Sequence, residues 1–567
     1  PDALAQAIHH VVQRHEPLRT VFVKDDTLSL QGRLLELPEP ARLLKVINAR
    51  DTDPSQTEQA LHALAQAPFD LEQDLFLRAN LWITHEQSAT LLIVLHHAAG
   101  DGLSINVLFS EIAEAYAQIL KGQAPDSTPL PLAYADFAAW QRQWFNSSDI
   151  LSQQIHYWKE TLEGVPDLID LPTDLPRLPD RKRTASTLPI RIPAAQTAAL
   201  ETLAHAHKTT LFAVLMAAYG VILARFSRQD DVVIGFPIAG RSAPELEPLV
   251  GFFVNTLPLR ISLHQTDSKD TLIQRVAQQL IGALSHQDIP FERLVEDLVT
   301  TRSLAHTPLF QAMFAWQSQD EATFTLEGTD TTALPLTLET AKFDLTLSLA
   351  LTPEGQIAGG IEFDQTLFHP ATVATWIQAF EQVLGTFAGD STVPIYRVPL
   401  VDSRQAKTVI ETFNQTQHPI EETTLPDLFE LQVQKTPKAT ALVFGDTEIS
   451  YRELDQKANQ FARYLRQQNI GPESIVALAL ERSVEMVVSL LAVLKTGAAY
   501  LPIDPEYPRD RIAFMLEDSS APILITTRAI HDRIAFGDEA VTQNFKGAIL
   551  CLDDEATQAQ IRLQNTQ

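Results

Sequence analysis

The sequence predicts an α/β protein made of two similar lobes and a further α/β unit, on three observations. Amphipathic helical spacing alternates with short apolar strands over residues 1–165. A proline-rich stretch, 166–193, interrupts that texture, which resumes over 194–400. A polar segment without sustained periodicity, 401–424, precedes a fresh alternation over 425–567.

In the first lobe the helical segments are Leu4–Val12, Gln56–Ala67 and Ile105–Leu120, and residues 90–95 (TLLIVL) read as a short buried strand. Pro166, Pro172, Pro176, Pro179, Pro189 and Pro193 surround the charged patch Asp180-Arg181-Lys182-Arg183, a composition that suits an extended connector. The second lobe shows a long apolar helix near Leu211–Phe226 and a strand at Asp231–Gly235. The last unit reads as Phe429–Gln434 helix, Ala441–Val443 strand, Tyr451–Gln468 helix, Ile475–Leu480 strand, Met486–Lys495 helix and Ile523–Thr526 strand. Two lobes of similar size predict an active site at their interface.

The chemistry is expected at His96-His97-Ala98-Ala99-Gly100-Asp101-Gly102, between the strand and the helix that starts near Ser104. Successive strand side chains point to opposite faces, so at most one of His96 and His97 can be the reacting group. Asp101 falls where a carboxylate caps a helix, and Gly102 permits unusual backbone angles. A structural histidine and a helix cap would leave the same pattern, so the heptad alone does not decide between the readings.

The 567 residues carry 43 Lys+Arg against 71 Asp+Glu, a formal charge of -28, which argues against nucleic acid or an anionic membrane as main partner. Cys551 is the one cysteine, excluding an intramolecular disulfide framework and a cysteine zinc cluster, and suiting a reducing cytoplasm. No metal-ligand spacing is found, no stretch is apolar for long enough to span a bilayer, and no signal peptide is visible.

Six segments occur in the order found in condensation domains of nonribosomal peptide synthetases, within the chloramphenicol-acetyltransferase-like superfamily. Arg14–Phe22 (RHEPLRTVF) resembles the family's RHExLRTxF, and His96–Gly102 resembles HHxxxDG. Tyr134–Trp140 (YADFAAW), Val250–Arg260 (VGFFVNTLPLR), His286–Glu292 (HQDIPFE) and Arg302–Phe310 (RSLAHTPLF) complete the set. Ile449–Leu454 (ISYREL) and Leu494–Asp504 (LKTGAAYLPID) resemble the first two motifs of an adenylation domain.

The resemblance implies two chloramphenicol-acetyltransferase-like lobes with a tunnel between them, the family's first strand being expected before Pro1. It implies an amide-forming acyltransferase that joins two thioesters carried on 4'-phosphopantetheine arms of upstream and downstream carrier domains. No metal or cofactor is expected in the condensation part. The Gly/Ser/Thr-rich phosphate loop does not occur before Gln567, so ATP and Mg are expected only for a complete adenylation domain, and this part is not expected to be active.

By the same resemblance His97 is the working imidazole, as base or as a group orienting the amine, with His96 supporting it. Asp101 is expected in an ion pair with an arginine, Arg19 or Arg260, and Gly102 to offer its N–H to the oxyanion. Asn255 either lines the tunnel or packs. His286 with Asp288, and His9 with His10, are read as structural. An epimerisation domain shares HHxxxDG, and a catalytically silent platform for carriers or tailoring enzymes would share the fold. The Val254–Thr256 and His286–Glu292 segments and the adenylation motifs downstream favour condensation over epimerisation.

Overall fold

The computed structural model describes residues 1–24, 30–50, 52–147, 149–299, 303–317, 324–334, 340–390, 392–535 and 545–566. Arg302, the first residue of the RSLAHTPLF segment, lies outside them. The chain forms two compact units, Pro1–Asn414 and Gln415–Gln567.

The first lobe of the first unit begins with helix α1 (Asp2–Arg14), whose Leu4, Ala7, Ile8, Val11 and Val12 lie on one buried face. The ribbon β1 (Thr20–Lys24) and β2 (Leu30–Leu34) follows, then β3 (Leu44–Asn48), α2 (Pro54–Gln66), β4 (Leu77–His85) and β5 (Ser88–Leu95). β3 and β4 are parallel, and β5 returns antiparallel to β4 with Leu95 opposite Leu77. Helix α3 (Gly102–Leu120) covers the sheet through Leu108, Ile112 and Ala115, and α4 (Tyr134–Ser147) follows.

The second lobe draws on more of the chain than the 194–400 expected. Helix α5 (Ile150–Thr161) lies inside the segment assigned to the first lobe, yet its fully buried Trp158 belongs to the second lobe's core. The connector is also shorter than expected, because its end, β6 (Ala185–Ile192), is a strand of the second lobe's sheet, paired antiparallel with β11 (Ile357–Asp364). Leu188, Ile190 and Ile192 alternate inward while Thr187, Pro189 and Arg191 face out, and an edge strand tolerates a proline. Two arginines of the connector anchor it to the second lobe: Arg181, in the charged patch, meets buried Asp364 at 3.2 Å, and Arg177, before it, meets buried Asp344 at 2.7 Å.

The remaining elements of this lobe are α6 (Ala194–Ala206), α7 (Leu211–Ser227), β7 (Asp231–Ile238), β8 (Asn255–Ser262), α8 (Lys269–Ser285), α9 (Phe291–Leu298), β9 (Ala312–Gln317), β10 (Leu345–Leu351) and α10 (Pro370–Ala388). They surround a six-stranded sheet in the order β6-β11-β10-β9-β7-β8. Helix α7 is apolar all round and buried along nearly its whole length, the pattern of a helix inside a core. Among the described residues no single helix is long and apolar enough to cross a membrane.

Two segments of the second half of the chain reach into the first lobe. Val250, between β7 and β8, and Leu326, after β9, are both buried in the first lobe's core. Lys121 holds the second of these segments through Glu327 at 2.9 Å.

In the second unit, α11 (Leu425–Lys435) and α12 (Tyr451–Gln467) both start in capping boxes, Thr424 with Asp427 and Ser450 with Glu453. Between them β12 (Thr440–Phe444) and β13 (Thr447–Ser450) form a hairpin. A parallel sheet in the order β15-β14-β16-β17 follows, made of β14 (Ile475–Leu478), β15 (Ala499–Pro502), β16 (Ile523–Thr526) and β17 (Ala548–Cys551). The LKTGAAYLPID motif spans the end of helix Val484–Thr496 and β15, with left-handed Gly497 as the helix stop.

Candidate active site at the junction of the two lobes

Strand β5 stops at Leu95, and the chain closes a turn in which the Ala99 amide donates to the His96 carbonyl at 2.9 Å. The two histidines take different surroundings. His96 is half-buried, with Phe69 edge-on at 5.4 Å and Phe76 at 5.1 Å, and its Nδ1 accepts from the Ala98 amide at 3.2 Å. Burial, and then the neighbouring His97, hold the His96 pKa below the ordinary imidazole value.

His97 is exposed. Its Nδ1 lies 3.0 Å from the Gly100 carbonyl. A carbonyl can only accept, so in the neutral imidazole Nδ1 carries the proton and Nε2 the lone pair. Among the described residues Nε2 has no hydrogen-bond partner. The ring of Phe252, from the segment that crosses between lobes, meets His97 edge-on at 5.1 Å.

Asp101 caps α3 and at the same time ties the lobes together. Its Oδ1 accepts from the Ser104 amide at 2.9 Å and the Ser104 hydroxyl at 2.8 Å. Its Oδ2 accepts from the Phe253 amide at 3.0 Å and the Val254 amide at 3.2 Å. The carboxylate is 5% exposed, and a charge so buried needs a countercharge.

That countercharge is Arg241, whose guanidinium reaches Asp101 Oδ1 at 3.2 Å, and not Arg19 or Arg260. Arg19 donates to the Leu35 carbonyl at 3.1 Å. Arg260, on β8, pairs instead with Asp231 of the neighbouring strand β7 at 3.0 Å. Arg241 follows Gly240, whose φ of +65° turns the chain at the end of β7, and it also donates to the Leu249 carbonyl at 2.7 Å. The guanidinium stacks over Phe253 at 4.2 Å. An arginine just beyond an apolar strand and a glycine was the available sequence signal, but it does not say which turn of the other lobe it meets.

Gly102 opens α3 and is exposed, and among the described residues its amide has no protein acceptor. Asn255 starts β8 and works as a strut: its Nδ2 donates to the Gln287 carbonyl at 2.9 Å and the Ile289 carbonyl at 2.8 Å, while its Oδ1 accepts from Phe291 N at 3.1 Å. In the same loop His286 stacks on Tyr157 at 3.8 Å, and Asp288 accepts from Gln154 at 2.7 Å.

Two further residues of the junction were not singled out from sequence. Ser104 is fully buried, and its hydroxyl lies within 3.2 Å of the Gly251 amide, 2.9 Å of the Gly251 carbonyl and 3.1 Å of Arg241. Tyr134, at the head of α4, donates its hydroxyl to the Phe252 carbonyl at 2.9 Å. Burial, with the negative charge of Asp101 nearby, raises the Tyr134 pKa and keeps that hydroxyl a donor. Among the described residues no group of three or more His, Cys, Asp or Glu side chains could hold a metal ion.

Residues 1–410 match the Condensation domain family, and residues 429–567 match the AMP-binding enzyme family. Malpinin synthetase of Mortierella alpina is 37% identical over 93% of this chain, which spans 7% of that protein. The dimodular nonribosomal peptide synthase of Bacillus subtilis is 36% identical over 92% of this chain, which spans 22% of it. Among solved structures, the four-domain nonribosomal peptide synthetase holo-AB3403 shares the fold across the whole chain, with TM-score 0.82, 22% identity and 42% of that structure covered. The X-domain from teicoplanin biosynthesis matches 70% of the chain and 90% of its own length, with TM-score 0.65 and 26% identity. The chain therefore belongs to the nonribosomal peptide synthetases, as a condensation domain followed by part of an AMP-binding adenylation region.

Proposed function

We propose that the first unit forms an amide bond between two carrier-bound thioesters, with His97 as the residue that handles the proton. The amine of the downstream aminoacyl thioester attacks the carbonyl carbon of the upstream acyl or peptidyl thioester. A C–N bond forms, and the tetrahedral adduct carries an ammonium and an oxyanion. His97 Nε2 takes the ammonium proton, the C–S bond breaks, and the thiolate leaves and recovers a proton. The 4'-phosphopantetheine arms belong to the carrier domains, which are the partners this reading requires.

One observation carries the reading: the His97 imidazole, with Nδ1 engaged by the Gly100 carbonyl, presents a lone pair on Nε2 at the junction of the lobes. A neutral imidazole is suited to general-base proton transfer, and such help is typically worth about 10²–10⁴ in rate. The Gly102 amide at the head of α3 is the donor assigned to the oxyanion, with the positive end of the helix behind it. Asp101, locked by Arg241 and four other donors, holds the turn.

Likeness to the teicoplanin X-domain, also solved in complex with OxyB, supports a second reading in which the unit docks a partner without catalysis. Dipeptide formation between two loaded carrier proteins separates the two. The expected result is product from the unmodified chain and a 10²–10⁴-fold slower rate for His97→Ala, by the usual worth of general-base help. An unchanged rate in His97→Ala removes His97 from the chemistry, and no product from the unmodified chain favours docking.

A further inference from the structure

We infer that Phe252 determines specificity for the acceptor, limiting the size of the side chain on the carbon that bears the attacking amine. The inference rests on the amide-forming reading of His97. Phe252 is 39% exposed, although Val250 is 1% and Phe253 6% exposed in the same segment. A large apolar ring left open to solvent within an otherwise buried segment is not there for the core. Its ring instead meets the imidazole that holds the free Nε2, edge-on at 5.1 Å.

The ring's backbone is pinned on both sides. Before it, the Val250 amide donates to His15 Nδ1 at 3.4 Å and the Gly251 amide to the Ser104 hydroxyl at 3.2 Å. Beside it, Tyr134 holds the Phe252 carbonyl at 2.9 Å, and after it Asp101 holds the Phe253 amide at 3.0 Å. Tyr134 also fills the space over Gly251, where a Cβ would lie 2.2 Å from the tyrosine ring. The segment therefore cannot withdraw to admit a larger group without breaking several buried hydrogen bonds.

The consequence follows from bond lengths. An amine within hydrogen-bond reach of Nε2 has its α-carbon one bond further on, so the substituent on that carbon shares the space beside His97 with the phenyl ring. The donor's side chain hangs from the α-carbon next to the reacting carbonyl carbon and is one atom more remote from Nε2. A fixed apolar wall discriminates by size, and a change of one methylene in such a pocket is worth about 10–200-fold.

The test uses the full chain and two carrier proteins, with a fixed donor thioester and acceptors loaded with alanine, leucine or phenylalanine. The quantity read is kcat/KM for each acceptor relative to alanine. Phe252→Ala is expected to raise the phenylalanine-to-alanine ratio by about tenfold or more, with Phe252→Leu between it and the unmodified chain. Varying the donor against a fixed alanyl acceptor is expected to leave the ratios unmoved. Unchanged acceptor ratios in both variants, or a shift confined to the donor series, overturn the inference. Should Phe252→Ala lose its melting transition, Phe252→Leu alone decides by the same ratio. His97→Ala is assayed in parallel: its full activity sinks the His97 reading, whereas its inactivity beside unmoved ratios sinks only the role of Phe252.

Discussion

Replacing Arg241 by Ala strips a buried carboxylate of its countercharge, and the structure sets the size of the effect. Truncating one partner of a buried ion pair typically costs about 3–5 kcal/mol. Asp101 keeps Ser104 N at 2.9 Å, Ser104 Oγ at 2.8 Å, Phe253 N at 3.0 Å and Val254 N at 3.2 Å, which places the cost at the low end. About 3 kcal/mol corresponds to roughly a hundredfold change in an opening equilibrium. Hydrogen exchange at the Phe253 and Val254 amides reads that opening directly, because those amides donate to Asp101 and become exchangeable when the segment lifts. Arg241→Ala is expected to speed their exchange about a hundredfold, with helix α7 unaffected. Asp101→Asn presents an amide donor to other donors and is expected to act similarly. The double variant should fall well short of the product of the two effects, since both remove one interaction. Unchanged exchange over 250–254 in Arg241→Ala, or full additivity in the double variant, would refute the assignment of this pair as the clasp between the lobes.

Further expectations follow from the same junction. Gly240→Ala meets a left-handed φ of +65° and a Cβ position 1.9 Å from the Phe253 carbonyl oxygen, so it should displace the turn that aims Arg241. The expected cost is about 2–5 kcal/mol from the left-handed backbone and the overpacking together, and a melting temperature within a degree of the unmodified chain would contradict it. Because burial lowers the His96 pKa in the folded chain, the unfolded chain binds more protons below about 6.5. Stability from this residue is then complete above pH 6.5 and declines as pH falls through the lowered folded value. His96→Asn keeps an acceptor for the Ala98 amide and does not titrate, so the unmodified chain should lose melting temperature relative to it between pH 7 and 5. Parallel pH curves for the two proteins would sink that account.

Much of the local structure was legible because its causes are local. The apolar run ending at Leu95, the spacing of Leu108 and Ile112, and Asp101 three residues before the amide it caps all act within one or two turns. The helix that follows Thr424 starts at Leu425, four residues before the Phe429 expected, because the capping box of Thr424 with Asp427 opens it ahead of the apolar spacing. Strand β6 is hidden in the sequence because Pro189 masks an inward alternation that only an edge position permits. Trp158 stands next to the first lobe in sequence but packs in the core of the second, because neighbours along the chain need not be neighbours in space.

A strand ending just before His96 and His97, and a capped helix after them, are written in the sequence; their divergence is not a product of strand alternation, because both lie beyond Leu95 in the turn. Tertiary structure alone decided that Arg241, 140 positions from Asp101, and neither Arg19 nor Arg260, neutralises it. It also brought Phe252 against His97 and Tyr134 over Gly251. The physical reason is range. Backbone propensity and capping act over a few residues, whereas a buried charge is satisfied by whichever cation the packing of two cores carries to it.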